Sequence, residues 1–263
     1  MSPNAVQSAV ANDEAKFDIA VLRGCLVVGA VGLVVFGLGL FAFIPPLSPG
    51  APQAEVTEFW RSHSTSIRFG VVLMVLGATL GTGIPAAFAA LVRRCEGRGS
   101  VLAYFEVQLG AINFAFAAAF MVFFGAVAFR EQEPATYQFW TDVLWLMLLG
   151  TPFLGDTQMV IIAVAAFRDR TRRIFPRWYA WYSLWQAFIT APAALVFFMP
   201  HGGMFGYNGG MSFYFIVGLF VIWIGITTSV CWHAAGRAYT NDQAIPLERN
   251  ALDQALAMES STV

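Results

Sequence analysis

Long apolar runs separated by short polar connections set the pattern of this chain. Six runs stand out, at roughly 24–45, 69–92, 101–129, 140–167, 178–199 and 212–236. A helix that crosses a bilayer needs about 20 mostly apolar residues, and each run meets that length. The strands of a membrane β-barrel would instead alternate over about 10 residues. The pattern therefore predicts an all-α, polytopic membrane protein with six transmembrane helices. A membrane domain over 24–236 lies between polar tails at 1–23 and 237–263 that are expected to be mobile. The first run is too long for a signal-peptide core of about 7–15 residues, and Asp13 and Glu14 precede it, so it is read as a retained helix. Between the first two runs, Ala54-Glu55-Val56-Thr57-Glu58-Phe59-Trp60 predicts a short interfacial helix with Phe59 and Trp60 in the headgroup zone.

Charge then gives an orientation. If the N-terminus is cytoplasmic, the inner side holds Lys16, Arg23, Arg93, Arg94, Arg98, Arg168, Arg170, Arg172, Arg173, Arg177, Arg237 and Arg249. Only Arg61, Arg68 and Arg130 of the 15 basic residues remain outside. Short loops rich in Lys and Arg stay on the cytoplasmic side, so both termini are expected there, in a cytoplasmic (inner) membrane. Composition agrees: 58% of residues are hydrophobic and 12% charged, against about 25% charged in soluble domains. The net charge of -1 offers no footprint for nucleic acid, and the partner expected is the lipid bilayer. Three scattered cysteines, Cys25, Cys95 and Cys231, make neither a disulfide framework nor a zinc site.

Polar residues inside the runs are the candidates for function, because charges there are costly and usually face a bundle interior. At about 1.5 Å per residue, Asp156 falls roughly 4 Å to the inner side of its helix centre, with Asn113 and Gln186 at similar depth. Glu106 and His233 fall deeper, each roughly 13 Å from its own centre. Two polar layers are predicted, a middle one of Asp156, Asn113 and Gln186 and an inner one of Glu106 with His233. Glu106, Gly110, Asn113 and Ala117 form a single helical stripe. Asp142 and Asp156 are 14 residues apart and return to nearly the same face of a continuous helix. Asp142, near the outer interface, is expected to cap or hydrate its helix start. Pro152, with Gly150 and Gly155, is expected to bend the fourth helix just outside Asp156.

The absence of certain residues and motifs excludes several classes. The only lysine, Lys16, lies in the tail, so no Schiff base can form in the bundle. Of the three histidines, His63 and His201 lie in outer loops, which rules out histidine-rich membrane oxygenases and a bis-histidine haem. Neither H-E-x-x-H nor G-x-S-x-G nor a P-loop is present. No cofactor and no metal site are expected. The glycine-rich stretch His201–Gly210 reads as a tight outer loop in which Phe205 and Tyr207 fold back onto the membrane.

Asp142 with Trp145, Pro152-Phe153, Gln158, Phe175-Pro176-Arg177-Trp178 and Gly203-Met204-Phe205-Gly206-Tyr207-Asn208-Gly209 form a further pattern. On these residues the second half, about 138–237, resembles a group of uncharacterised bacterial six-helix membrane proteins with F-P-R-W followed by G-P-F-x-W-N-G. Met204 and Tyr207 stand where that pattern has Pro and Trp. The resemblance implies the fold and no activity. Arg177 is expected to meet lipid phosphate or a loop acid, and Trp178, Tyr179, Trp181 and Tyr182 to form an interfacial belt.

Three functional readings follow. The first is a protein that binds or passes a small, largely apolar molecule or an ion around Asp156. The alternative is a non-catalytic subunit or scaffold, as a homo-oligomer or beside a partner subunit. The third is an intramembrane enzyme using Glu106 and His233 as acid and base.

Overall fold

The computed structural model describes residues 3–96, 99–169 and 174–260. Among them there is no strand, and six helical stretches are long and apolar enough to cross a membrane. These span Asp13–Phe43, Ser64–Glu96, Val101–Phe129, Pro134–Arg168, Arg177–Phe198 and Gly210–Ala238. Of the basic cluster at the fourth span's end, Arg170, Arg172 and Arg173 lie outside the described residues, as does Arg98.

The spans are less regular than the six runs imply. The first is α1, Pro3–Leu40, and the second divides into α3, Ser64–Gly81, and α4, Gly83–Glu96, after α2, Gln53–Ser62. The third is α5, Val101–Phe129, unbroken. The fourth divides into α6, Pro134–Leu149, and α7, Phe153–Arg168. The fifth starts as α8, Arg177–Thr190, and tightens to a 3₁₀ helix over Ala191–Phe198. The sixth opens with π-helical geometry at Gly210–Phe215 and continues as α9, Ile216–Ser260.

Two of these irregularities have a proline as their local cause. Pro152 brings no N–H to the Leu148 carbonyl, so α6 closes with the Gly150 N–H donating to the Leu146 carbonyl at 2.8 Å. A new helix begins after Pro152, whose carbonyl accepts from the Asp156 N–H at 3.0 Å. The expected bend is a full break. Pro192 likewise withholds a donor from the Phe188 carbonyl, and α8 gives way to 3₁₀ geometry at the next residues.

α1 lies against α3 along facing glycines. A Cβ on Gly77 would stand 2.6 Å from the Gly32 carbonyl oxygen and 2.7 Å from the Phe36 Cα. A Cβ on Gly70 would stand 2.6 Å from the Gly39 carbonyl oxygen. Small residues let helix backbones approach closely where lipid supplies no hydrophobic drive.

Two apolar cores result. One gathers Leu26, Phe88, Leu91, Ile162 and Tyr179 in the half near Arg93, Arg168 and Arg177; the other gathers Phe43, Trp60, Phe124, Trp145 and Phe213. Each span crosses from one core to the other near its middle, for example between Met74 and Ile84, and between Leu149 and Met159. The two helix breaks fall at that waist.

In the second core α2 departs from expectation. Trp60 is fully buried, with its indole N–H donating to Thr141 Oγ1 at 2.7 Å and its ring stacked on Tyr137. The headgroup position expected of Trp60 is therefore corrected: its hydroxyl partner on α6 draws the indole inward, while Phe59 stays half-buried.

Candidate functional site

The buried polar side chains line up on α8. Tyr179, Ser183, Gln186 and Thr190 follow the i, i+4, i+7, i+11 spacing of one helical face, and all four are buried. Eleven residues at about 1.5 Å each make this stripe roughly 16 Å long, about half the hydrocarbon thickness. Ser183 is held on its own helix, its hydroxyl donating to the Tyr179 carbonyl at 2.8 Å. Tyr179 reaches α9, where its hydroxyl donates to Thr227 Oγ1 at 2.9 Å.

At the other end of the stripe sits Asp156. Thr190 Oγ1 stands 2.6 Å from Asp156 Oδ1 and 2.7 Å from the Gln186 carbonyl. A hydroxyl has one hydrogen and cannot serve both acceptors. Both contacts are satisfied when Thr190 donates to the carbonyl and the Asp156 carboxyl, carrying a proton, donates to Thr190. When the carboxyl is ionised, Thr190 turns its hydrogen to it instead. Asp156 also occupies the first turn of α7, where the helix dipole favours negative charge. Its second oxygen, Oδ2, is buried without a hydrogen-bond partner.

Two residues along α7, Gln158 turns to α5. Its amide donates to Glu106 Oε1 at 2.9 Å, and Glu106 is fully buried. Glu106 Oε2 has no partner. Gly110, one turn from Glu106, makes the approach feasible. A Cβ there would overlap Pro85 of α4 and come within 3.3 Å of the Gln158 amide nitrogen. No basic side chain forms an ion pair with either carboxyl among the described residues.

The expected layers are thus partly rearranged. Asp156 and Gln186 belong to one connected set through Thr190, while Asn113 is half-buried on α5 with no side-chain hydrogen bond shown. The pairing of Glu106 with His233 is corrected. His233 is exposed, and its Nδ1 lies 2.8 Å from the Ser229 carbonyl of its own helix. Depth along the span put the two at one level, but α9 turns His233 away from the bundle. The interfacial belt is corrected at Tyr179, which is buried against α9; Trp178 and Trp181 are exposed as expected, and so is Arg177. Asp142 is corrected as well. It lies well inside α6, which begins at Pro134, and accepts from the Tyr207 hydroxyl at 3.1 Å. The shared face proposed for Asp142 and Asp156 assumed a continuous helix, and the break at Gly150–Pro152 removes it.

Sequence reasoning missed Gln158 as the partner of Glu106 and Thr190 as the partner of Asp156. The stripe at 179, 183, 186 and 190 was the available signal, hidden because tyrosine at a span end reads as interfacial. Among the described residues no group of three His, Cys, Asp or Glu is placed to hold a metal ion.

Set against known protein families, curated proteins and solved structures, the chain matches none.

Proposed function

We propose that this is a proton-passing membrane protein, with Asp156 and Glu106 as the groups that take up and release the proton. The observation that carries the reading is a pair of buried carboxyls, each held on one oxygen by a neutral partner, with no hydrogen bond to the second oxygen and no ion pair among the described residues. An unpaired charge in such surroundings is expensive, and a carboxyl without a cation can be buried as the neutral acid, holding a proton that it is able to give up and take back. Intramembrane acids of this kind usually mark ion pathways.

The broken spans support the same reading. Helix breaks at the membrane middle, in corresponding stretches of a chain, recur where transporters bind ions. Here the second span breaks at Thr82 ahead of Gly83-Ile84-Pro85, and the fourth at Gly150-Thr151-Pro152. The two descending halves, α4 and α7, both reach the Glu106 site through Pro85 and Gln158. In this reading both termini face the cytoplasm of an inner membrane, and Glu106 lies on the cytoplasmic side of Asp156.

Reconstituted into liposomes with a trapped pH dye and an imposed potential, the wild-type chain collapses a pH gradient faster than empty vesicles. Asp156→Asn and Glu106→Gln each slow it at least tenfold while the protein still melts cooperatively. Wild-type flux no greater than that of empty vesicles overturns the proposal.

A further inference from the structure

α5 and α6 form a hairpin, and their facing sides part to leave an apolar groove. Phe116, Phe120 and Phe123 of α5 line it with Trp140, Val143 and Met147 of α6, around a cavity of about 250 Å³. Phe123 stacks on Trp140 at 5.8 Å between ring centroids, which fixes the alignment of the two helices. In an antiparallel pair that alignment sets Phe120 opposite Val143 and Phe116 opposite Met147. The groove therefore follows both helices for two turns, about 10 Å. Phe120 is buried at its floor, edge to face with Phe124 at 4.6 Å, while Phe123 is exposed at its rim. Both helices belong to membrane-length spans, so the groove opens into hydrocarbon.

The turn of the hairpin supplies charge. The groove-lining Ala119 and Phe123, then Ala126 and Arg130, follow the i, i+4, i+7, i+11 spacing, and all four are exposed. Arg130 thus stands at the end of the outward stripe that borders the groove, about 10 Å beyond Phe123. Its guanidinium carbon lies 5.7 Å from the centre of the exposed Phe129 ring. The turn itself is held in place. The Gln132 N–H donates to the Tyr137 hydroxyl at 3.1 Å, and Glu131 pairs with Arg61 of α2 at 3.6 Å. With Glu131 engaged by Arg61, the charges left at the turn are Arg130 and Glu133, both exposed. Three residues apart, they are within about 11 Å of each other along the chain.

We infer that the α5–α6 groove is a site for one zwitterionic phospholipid. An acyl chain lies between Phe120 and Val143, Arg130 donates to the phosphate, and an ammonium headgroup donates to Glu133. The cavity is smaller than the roughly 300–1,000 Å³ of pockets that take a drug-sized molecule, and it suits a single chain. Arginine at a span end covers apolar surface with its stem and keeps its head in the polar zone, where its planar fork matches phosphate. An anionic headgroup would set its extra negative charge against Glu133 and Glu131, which disfavours it. The site is on a different face from the Asp156 and Glu106 carboxyls and does not depend on the proton-passing reading.

The test is native mass spectrometry of the full chain released from detergent. The chain is titrated with phosphatidylethanolamine and, separately, with phosphatidylglycerol of the same acyl chains. The first phosphatidylethanolamine is expected to bind at least fivefold more tightly than the first phosphatidylglycerol. Arg130→Gln and Val143→Phe, which places a ring in the groove, are each expected to weaken it at least fivefold. Arg68→Gln, at an exposed arginine outside the hairpin, is expected to leave it unchanged. Arg130→Gln lies in an exposed turn and decides the matter if Val143→Phe does not fold. Phosphatidylethanolamine bound equally by wild type and Arg130→Gln, or by wild type and a folded Val143→Phe, overturns the site. Phosphatidylglycerol bound as tightly as phosphatidylethanolamine overturns the headgroup assignment. A chain that flies as a dimer and takes up no lipid overturns the proposal and gives the groove to a second copy.

Discussion

Replacing Gly77 with alanine tests the packing that holds the first two spans together. The added Cβ would meet the Gly32 carbonyl oxygen at 2.6 Å and the Phe36 Cα at 2.7 Å, against the 3.4 Å at which ordinary contact begins. All of the nearest atoms are backbone, the Phe36 nitrogen nearer still, so no side chain can swing away, and α1 must move off α3 by roughly 1 Å at that point. The contacts at Gly32, Gly39 and Gly70 lie in the same α1–α3 interface and would loosen with it. Overpacking of this kind costs about 1–3 kcal/mol. For a chain of this size that corresponds to a melting temperature lower by roughly 2–10 °C. The assay is thermal unfolding of purified protein in detergent, followed by tryptophan fluorescence. Gly155→Ala serves as control, because a Cβ there meets nothing within 4 Å. Gly77→Ala and Gly155→Ala melting together would refute the glycine-face account of the α1–α3 contact.

Other expectations concern the polar groups. Thr190→Val keeps the shape of the side chain and removes the one side-chain partner of the Asp156 carboxyl among the described residues, so the protein should lose about 1–3 kcal/mol, with Thr190→Ser close to wild type; equal losses in the two variants would contradict this. Gln158→Leu should destabilise similarly through Glu106, whereas His233→Ala should leave the melting temperature within about 1 °C, since a surface change away from special contacts is usually worth less than about 0.5 kcal/mol. Burial, and then the negative charge of Asp142, raise the Tyr207 hydroxyl above its ordinary value of 10.0. The folded chain therefore holds this proton more tightly than the unfolded chain, so the stability it contributes is complete below about pH 10 and lost as pH rises further. The melting-temperature gap between wild type and Tyr207→Phe should be flat up to about pH 10 and narrow above it, and a gap that widens there would be inconsistent with the buried Tyr207–Asp142 bond.

How much of this was legible in the sequence differs by feature. Apolar run length is set by bilayer thickness, so all six spans could be read directly, as could Pro152 as a point of disruption. Whether a proline bends or breaks a helix depends on neighbouring contacts, and here Gly150 supplies the cap that ends α6. Depth along a span was readable at fixed rise per residue, which is why Asp156, Gln186 and Glu106 could be selected. Rotation about the helix axis was not. It decides that Glu106 faces Gln158 while His233 faces outward, and it depends on packing that no single helix encodes. Aromatic residues posed the same difficulty. Trp60 and Tyr179 have the composition of an interfacial belt, and only the hydroxyls of Thr141 and Thr227 on other helices reveal that both are drawn inside.

Asp156 is, above all, the carboxyl proposed to exchange its proton within the membrane. Proton flux into liposomes, measured for wild type, Asp156→Asn and Asp156→Glu at matched protein content, addresses this most directly. The prediction is flux lost at least tenfold in Asp156→Asn and largely retained in Asp156→Glu, with both variants folded. Equal flux in wild type and Asp156→Asn would contradict it, and would leave the Asp156–Thr190 contact as a feature of helix packing alone.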